Sequence, residues 1–284
     1  MSKFDILCSL AYQVNQPTEF IIHILVAYHP SQSIIKEELI VDGGNPQIHT
    51  DQTGHNRYLR FSSENHYCEI HYQAQVEVNM PSRNEFAQEM RIAELPMDVL
   101  HYLLPSRYCE SDLIGKFAQS IFGQLPSGFS RVEAICDWIK NNIDYKIGSS
   151  QASTTARDVL SNRAGVCRDF AHLGIAFCRA LNIPARFVFG YAEFSDPPPD
   201  FHALFEAYLS GEWVLFDPTK MAPLEKIVRI GVGTDAKDVA FATMYGNVQM
   251  LYLKPLIKDH IEGVEPDFTD VQDFIGAKKI IKMG

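Results

Sequence analysis

What this 284-residue chain lacks sets the first limits. No run of Lys or Arg stands out and the formal net charge is -10, so an electrostatic grip on nucleic acid or anionic lipid has nothing to work with. No apolar stretch is long enough to cross a bilayer as a helix. The opening MSKFDILCSLAYQV alternates around Asp5 and has neither the unbroken apolar block nor the small-residue cleavage site of a secretory signal. Nucleic-acid and membrane partners are therefore not expected, and a cytoplasmic protein is. The six cysteines contain no C-x-x-C pair, the spacing that zinc or a redox dithiol favours. In a reducing compartment they are expected as thiols, most of them packing as small hydrophobes.

What is present is ordinary globular composition, 46% hydrophobic and 21% charged, enough for one large domain or two modest ones. From Phe4 to about Val78 the pattern has period two, in FDILCSLAYQV, FIIHILVAY, IIKEELIV, RYLRF and HYCEIHYQAQVEV, broken by turn-rich NQPT, DGGNP and SSEN. Residues 1–95 are expected to form an antiparallel β-sandwich whose aromatic residues face a core. After the connector ELPMDVLHYLLPSRY the period changes, and residues 96–284 read as a second, α+β domain with helices first and sheet after. Ser111 is placed to cap one helix, and Ser130 with Glu133 forms a capping box for the next, which carries Cys136 on its apolar face. A short helix is expected from Ser153 to Leu160. Another begins near Cys167 and ends where Asn182 precedes Ile183-Pro184. Strands ARFVFGYAE, HALFEAYL and EWVLFDP follow, the last two joined by a Ser210-Gly211 turn. The polar tail from Lys258 carries no signal of a role.

The chemistry concentrates in GVCRDFAH, Gly165 to His172. A cysteine at a helix start meets unpaired backbone N–H groups and the positive end of the helix dipole, which favour the thiolate, the reactive form. The same N–H groups can hold the oxyanion of a tetrahedral intermediate. Gly165 would let backbone approach a substrate closely. A base is available in His202, on a strand just after the stiff SDPPPD segment. If the hairpin turn has two residues, Leu209 faces Glu212 and Asp217 faces Leu204, on the same side as His202 and within its reach. A three-residue turn would put Asp217 on the other face. With that parity, Cys167 is the candidate nucleophile, His202 the base and Asp217 the group that orients it. A metal site at Cys167, His172 and Cys178 is disfavoured, because residues five apart on a helix do not share a face. Asp169 is read as favouring the helix N-terminus, Cys136 and Cys178 as core, and the other histidines as surface or hydrogen-bonded structural groups. No cofactor is expected.

NRAGVCRDFAHLGIAFCRALNIPARFVFGYA followed by HALFEAYLSGEWVLFDPT resembles the core of the transglutaminase-like superfamily, whose fold is related to papain. The matching positions are Gly165, Cys167, Asp169, Phe170, Asn182 to Arg186, Gly190-Tyr191, His202 and Asp217 to Thr219. YLLPSRYCESD and GTDAKDVAFATMYG resemble the bacterial branch, as does the β-rich first third. The resemblance implies a papain-like core of helices packed on an antiparallel sheet, with Cys167, His202 and Asp217 as the triad. Two positions depart from the pattern: Leu204 stands where the family commonly has Trp, and Asn182 where it has Gly before Ile-Pro-Ala-Arg. The expected function is acyl transfer at amide bonds of a peptide or protein substrate, with hydrolysis preferred. A protein-glutamine transglutaminase is the first alternative and a catalytically silent protein-binding module the second. A peptide N-glycanase is disfavoured by the absence of zinc-binding cysteine pairs.

Overall fold

Alternation of side chains builds the first half of the protein, seen in a computed structural model that describes residues 2–64, 66–193, 200–264 and 280–282. β1 (Ser2–Val14) turns Phe4, Ile6, Cys8, Leu10 and Tyr12 to one face, all of them buried. β2 (Thr18–Ile22), β3 (Gln32–Asp42), β4 (Gln47–Thr50), β5 (Arg57–Ser63) and β6 (Tyr67–Val78) follow. The Phe20 and Phe61 rings stack at 5.0 Å and Tyr12 tilts onto Phe20 at 5.4 Å, so these rings face a core, while Tyr67 at the start of β6 is exposed.

The helical segment comes next. α1 (Ser111–Phe122) takes Ser111 as its first helical residue, so Ser111 is not the cap it was expected to be; Glu110 holds that position and makes no side-chain capping bond. α2 (Phe129–Asn142) does not use the Ser130–Glu133 box: Gly128, at φ 89°, precedes the first turn and Ser130 lies inside it. The Gly128 N–H goes instead to the Glu89 carboxylate at 2.9 Å. After the two-residue β7 (Asp144–Tyr145), α3 (Ala156–Asn162) starts three residues later than Ser153. Its capping box is Thr155 with Asp158, each side chain bonding the other's backbone N–H. β8 (Ala164–Gly165) leads into α4 (Cys167–Ala180), which packs against α1, α2 and α3 and against the sheet that follows. β9 (Ala185–Tyr191), β10 (Phe201–Leu209), β11 (Glu212–Phe216) and β12 (Val228–Gly233) make that sheet, antiparallel in the order β11-β10-β9-β12. The 195–199 part of SDPPPD lies outside the described residues.

The chain then returns to its beginning. β13 (Ala242–Tyr245) pairs with β2, and β14 (Val248–Asp259) pairs with β1 along nearly its whole length. With β15 (Ile280–Lys282), the N-terminal sheets run β14-β1-β6-β3-β15 and β13-β2-β5-β4. The division at residue 95 therefore does not hold at the far end, since 242–259 belong to the sandwich. Without β14, β1 would show a bare edge of N–H and C=O groups. The class is α+β, a β-sandwich beside helices packed on an antiparallel sheet. The halves are latched at β12: Gln32 donates to and accepts from the Arg229 backbone, and Asn56 does the same at Val232.

Candidate active site

α4 is the element that carries the thiol. Phe170, Leu173, Phe177 and the small Ala171, Gly174 and Ala176 are all buried, so the helix is central and its start is fixed by packing on every side. Gly174 is required for this, because a Cβ there would lie 2.5 Å from the Phe205 ring. The extended Val166 caps the helix and Cys167 is its first residue, which leaves the Cys167 N–H without an intrahelical acceptor. Asp169 folds back to take the Val166 N–H at 2.9 Å and holds the Arg168 guanidinium at 3.1 Å. Gly165 serves that fold: a Cβ there would sit 2.8 Å from the Asp169 Cβ. The space beside it is filled by Asp169, and the expected role in substrate approach is corrected to this one. Arg168 is tied further to Ser150 and the Gln151 carbonyl, both at 2.7 Å.

The base and its carboxylate come from one hairpin. Ser210 (φ 49°) and Gly211 (φ 87°) make a two-residue turn with both residues left-handed. Leu209 pairs with Glu212 and Phe205 with Phe216, so the register carries Asp217 opposite Leu204. The favourable parity is the one adopted. His202 Nε2 lies 2.9 Å from Asp217 Oδ2, and both side chains are buried. Asp217 Oδ1 also accepts the Thr219 N–H at 2.8 Å and its hydroxyl at 2.7 Å, and Oδ2 accepts the Met221 N–H at 3.2 Å. Burial by itself would raise the Asp217 pKa, but the bonds from His202 and Thr219 outweigh it and the net shift is downward. For His202, burial favours the neutral ring, yet hydrogen bonds to Asp217 and to Cys167 push its pKa up to about 10. The ring thus holds its proton at neutral pH.

Cys167 is partly exposed, its Sγ 3.9 Å from the Phe201 carbonyl on β10. The structure brings Cys167, His202 and Asp217 into one cluster. The other five cysteines are buried free thiols. Burial pushes Cys136 and Cys178 up, which disfavours their thiolates. A cleft of about 430 Å³, lined by Arg83, Glu133, Lys220 and Met221 among others, opens beside Asp217. No group of His, Cys, Asp or Glu among the described residues is arranged to hold a metal ion, and no helix among them is long and apolar enough to cross a membrane.

Residues singled out for other reasons fall into structural places. Arg186 binds the buried Glu206 at 2.7 Å and stacks on Trp213 at 4.0 Å. The Tyr191 hydroxyl donates to the Ile24 carbonyl at 2.7 Å. His172 accepts the Ala236 N–H at 3.1 Å and stacks on Tyr108. Asn182 takes φ 64°, a left-handed position that Asn tolerates nearly as Gly does. Leu204 is fully buried with Val188, Leu215 and Ile227. Two residues of the site carry no role in the sequence reading. Thr219 has a local signal, since Asp-Pro-Thr is an Asx-type turn. Tyr145, which touches Cys167, has none, because β7 is too short to show a period.

A solved structure described as a "putative cysteine protease" from Cytophaga hutchinsonii superposes with a TM-score of 0.86 at 38% identity, covering 99% of this chain and 98% of that one. The profile of the Transglutaminase-like superfamily matches residues 115–218, and that of the Bacterial transglutaminase, N-terminal domain, matches 2–98. The chain belongs to the transglutaminase-like superfamily. Its transglutaminase-like core places it in a family of thiol-dependent enzymes. Two uncharacterised mycobacterial proteins are each 34% identical to it. The one from Mycobacterium leprae aligns over 38% of this chain and 42% of its own length, and the one from Mycobacterium tuberculosis H37Rv over 36% and 37%. The chain thus spans about two fifths of the length of these relatives.

Proposed function

We propose that the protein is a cysteine peptidase or amidase that cleaves amide bonds of a peptide or protein through Cys167, His202 and Asp217. The observation that carries this reading is the placement of a partly exposed thiol at the first residue of α4, beside a histidine whose other side is held by a buried carboxylate. The Cys167 sulfur attacks the amide carbonyl carbon. His202, protonated in the resting site, gives its proton to the nitrogen as the C–N bond breaks and the amine leaves. A thioester remains on Cys167. His202, now neutral, takes a proton from water, whose oxygen attacks the thioester; the acid leaves and the thiolate–imidazolium pair is restored. Asp217 keeps the ring oriented and favours its charged form.

Hydrolysis is favoured over transamidation by the partial exposure of Cys167, which lets water reach the thioester. A cytoplasmic setting goes with this reading, since the nucleophile works only as a reduced thiol. The test is iodoacetamide modification followed by mass spectrometry, with buried Cys136 and Cys178 as internal controls. Fast labelling of Cys167 at neutral pH, lost in His202→Ala, is the expected result. Labelling of Cys167 as slow as that of the buried pair would overturn the reading in favour of a binding module. Incorporation of a labelled amine that outruns hydrolysis would make the enzyme a transglutaminase.

A further inference from the structure

An acyl-transfer enzyme sorts its substrates through the side chains around its nucleophile. One of these stands on a short turn that is tied down at both ends. β7 and β8 pair in parallel with Tyr145 opposite Gly165. The ladder ends on the bond from the Lys146 N–H to the Gly165 carbonyl at 2.9 Å, so the residues that follow open beside Val166 and Cys167. There the chain reverses. Gly148 takes φ 83°, a left-handed position where a side chain would be strained. The Lys146 carbonyl accepts both the Ser149 N–H at 3.2 Å and the Ser149 hydroxyl at 2.7 Å. Beyond the turn, Arg168 donates to the Ser150 hydroxyl and the Gln151 carbonyl, both at 2.7 Å. The two anchors, Gly165 and Arg168, flank Cys167 in the chain. At the apex is Ile147, whose side chain is 68% exposed. Single exposed apolar residues are common. This one is held in place next to a nucleophile, and a substrate laid over it would take its surface out of water.

Resting on the acyl-transfer reading, we propose that Ile147 is a specificity-determining residue, and that the protein acts on amide bonds whose acyl-side residue carries an aliphatic side chain, which packs on Ile147. His202 must stand next to the nitrogen that departs, so the leaving amine lies toward β10, where Cys167 Sγ meets the Phe201 carbonyl at 3.9 Å. The acyl residue then lies toward the turn. Glycine in that place leaves Ile147 in water, and a charged side chain loses hydration there without gaining a partner. Neither alters the sulfur itself. Sequence alone hides the role, because Lys146 to Ser150 reads as an ordinary turn and only the pairing of β7 with β8 brings it to position 167.

The test compares three reactions of the same thiol in the full chain, in wild type and Ile147→Ser. Acylation by the p-nitrophenyl esters of N-acetylglycine and N-acetylnorleucine is read from the p-nitrophenolate burst, and alkylation by iodoacetamide reports the thiol without an acyl side chain. In wild type the norleucine ester is expected to acylate Cys167 at least about tenfold faster than the glycine ester. Ile147→Ser should slow the norleucine reaction about tenfold, with the glycine ester and iodoacetamide unchanged. A norleucine-to-glycine ratio that is the same in both proteins overturns the proposal and leaves the acyl-transfer reading standing. A parallel fall in all three rates also overturns it, since the turn would then act on the thiol or the fold. Wild-type protein that gives no burst with either ester, with Cys167 alkylated no faster than Cys136, removes the acyl-transfer reading and this proposal with it.

Discussion

Two buried histidine–carboxylate pairs in this molecule look alike at the level of distances and differ in everything around them. His202 meets Asp217 at 2.9 Å; in the N-terminal sheet His71 meets Glu69 at the same 2.9 Å, and Ser9 Oγ lies 2.8 Å from His71 Nδ1. On side chains alone the second set is as good a Ser-His-Glu relay as the first is a Cys-His-Asp one. Ser9, however, sits on β1, in the middle of its sheet, opposite His71 on β6 and Lys254 on β14. Backbone groups of such a strand are committed to its neighbours on both sides. Cys167 begins a helix, where the first N–H group has no intrahelical acceptor and favours an anion. Three side chains in line make a polar network; donors for an oxyanion are what would make one of them an active site.

The sharpest way to break this contrast is to exchange the nucleophiles' fates. Cys167→Ser is expected to lower p-nitrophenyl acetate turnover by about 10³-fold or more, while Ser9→Ala leaves turnover unchanged and costs only stability. A loss of turnover in Ser9→Ala would place chemistry in the sandwich. The carboxylates come next. Asp217→Asn should reduce kcat by about 10²–10⁴-fold with the fold intact, whereas Glu69→Gln should leave kcat alone and lower unfolding free energy by about 1–3 kcal/mol. Urea titration beside a kinetic assay separates the two. A smaller effect is expected at Thr219→Val, which removes a hydroxyl from Asp217 but keeps the backbone bond: roughly tenfold in kcat, with KM little changed.

The least expected effect is on stability against pH. The folded-state pKa of His202, about 10, lies above the ordinary histidine value of 6.5. Protonated His202 therefore stabilises the folded state fully below about pH 6.5, and that contribution is lost as pH rises toward 10. The wild-type melting temperature should fall more steeply between those limits than that of Asp217→Asn, whose histidine has lost its partner. Equal slopes in the two proteins would show that the pair does not hold the proton.

Much of the candidate site was legible because it is local. The His202–Asp217 contact spans 15 residues within one hairpin, and Ser210-Gly211 announces a two-residue turn whose parity does the rest. The start of α4 was legible for a similar reason, since its apolar run stops at Cys167. Helix caps are less legible. Ser130 and Glu133 have the spacing of a capping box, but Gly128 and Glu89 supply the N-terminus of α2 instead, a choice made by a residue far off in sequence. Gly165 is necessary for a reason its own sequence does not show: Asp169, four residues on, fills the space beside it. The strand at 248–259 leaves no clear period in the sequence: its solvent-facing residues blur the alternation, and its reason for existing is β1.

The sequence by itself determined which residue types could do chemistry and on which elements they lie, since periodicity, turn residues and strand parity act over a few residues at a time. Only the tertiary structure decided what those elements meet. It set Cys167 against Phe201, 34 residues on, brought Tyr145 to the thiol through a two-residue ladder, and closed the edge of β1 with a strand from the other end of the chain. Such contacts are selected by packing and by the need to pair every buried backbone group, and neither requirement leaves a local mark in the sequence.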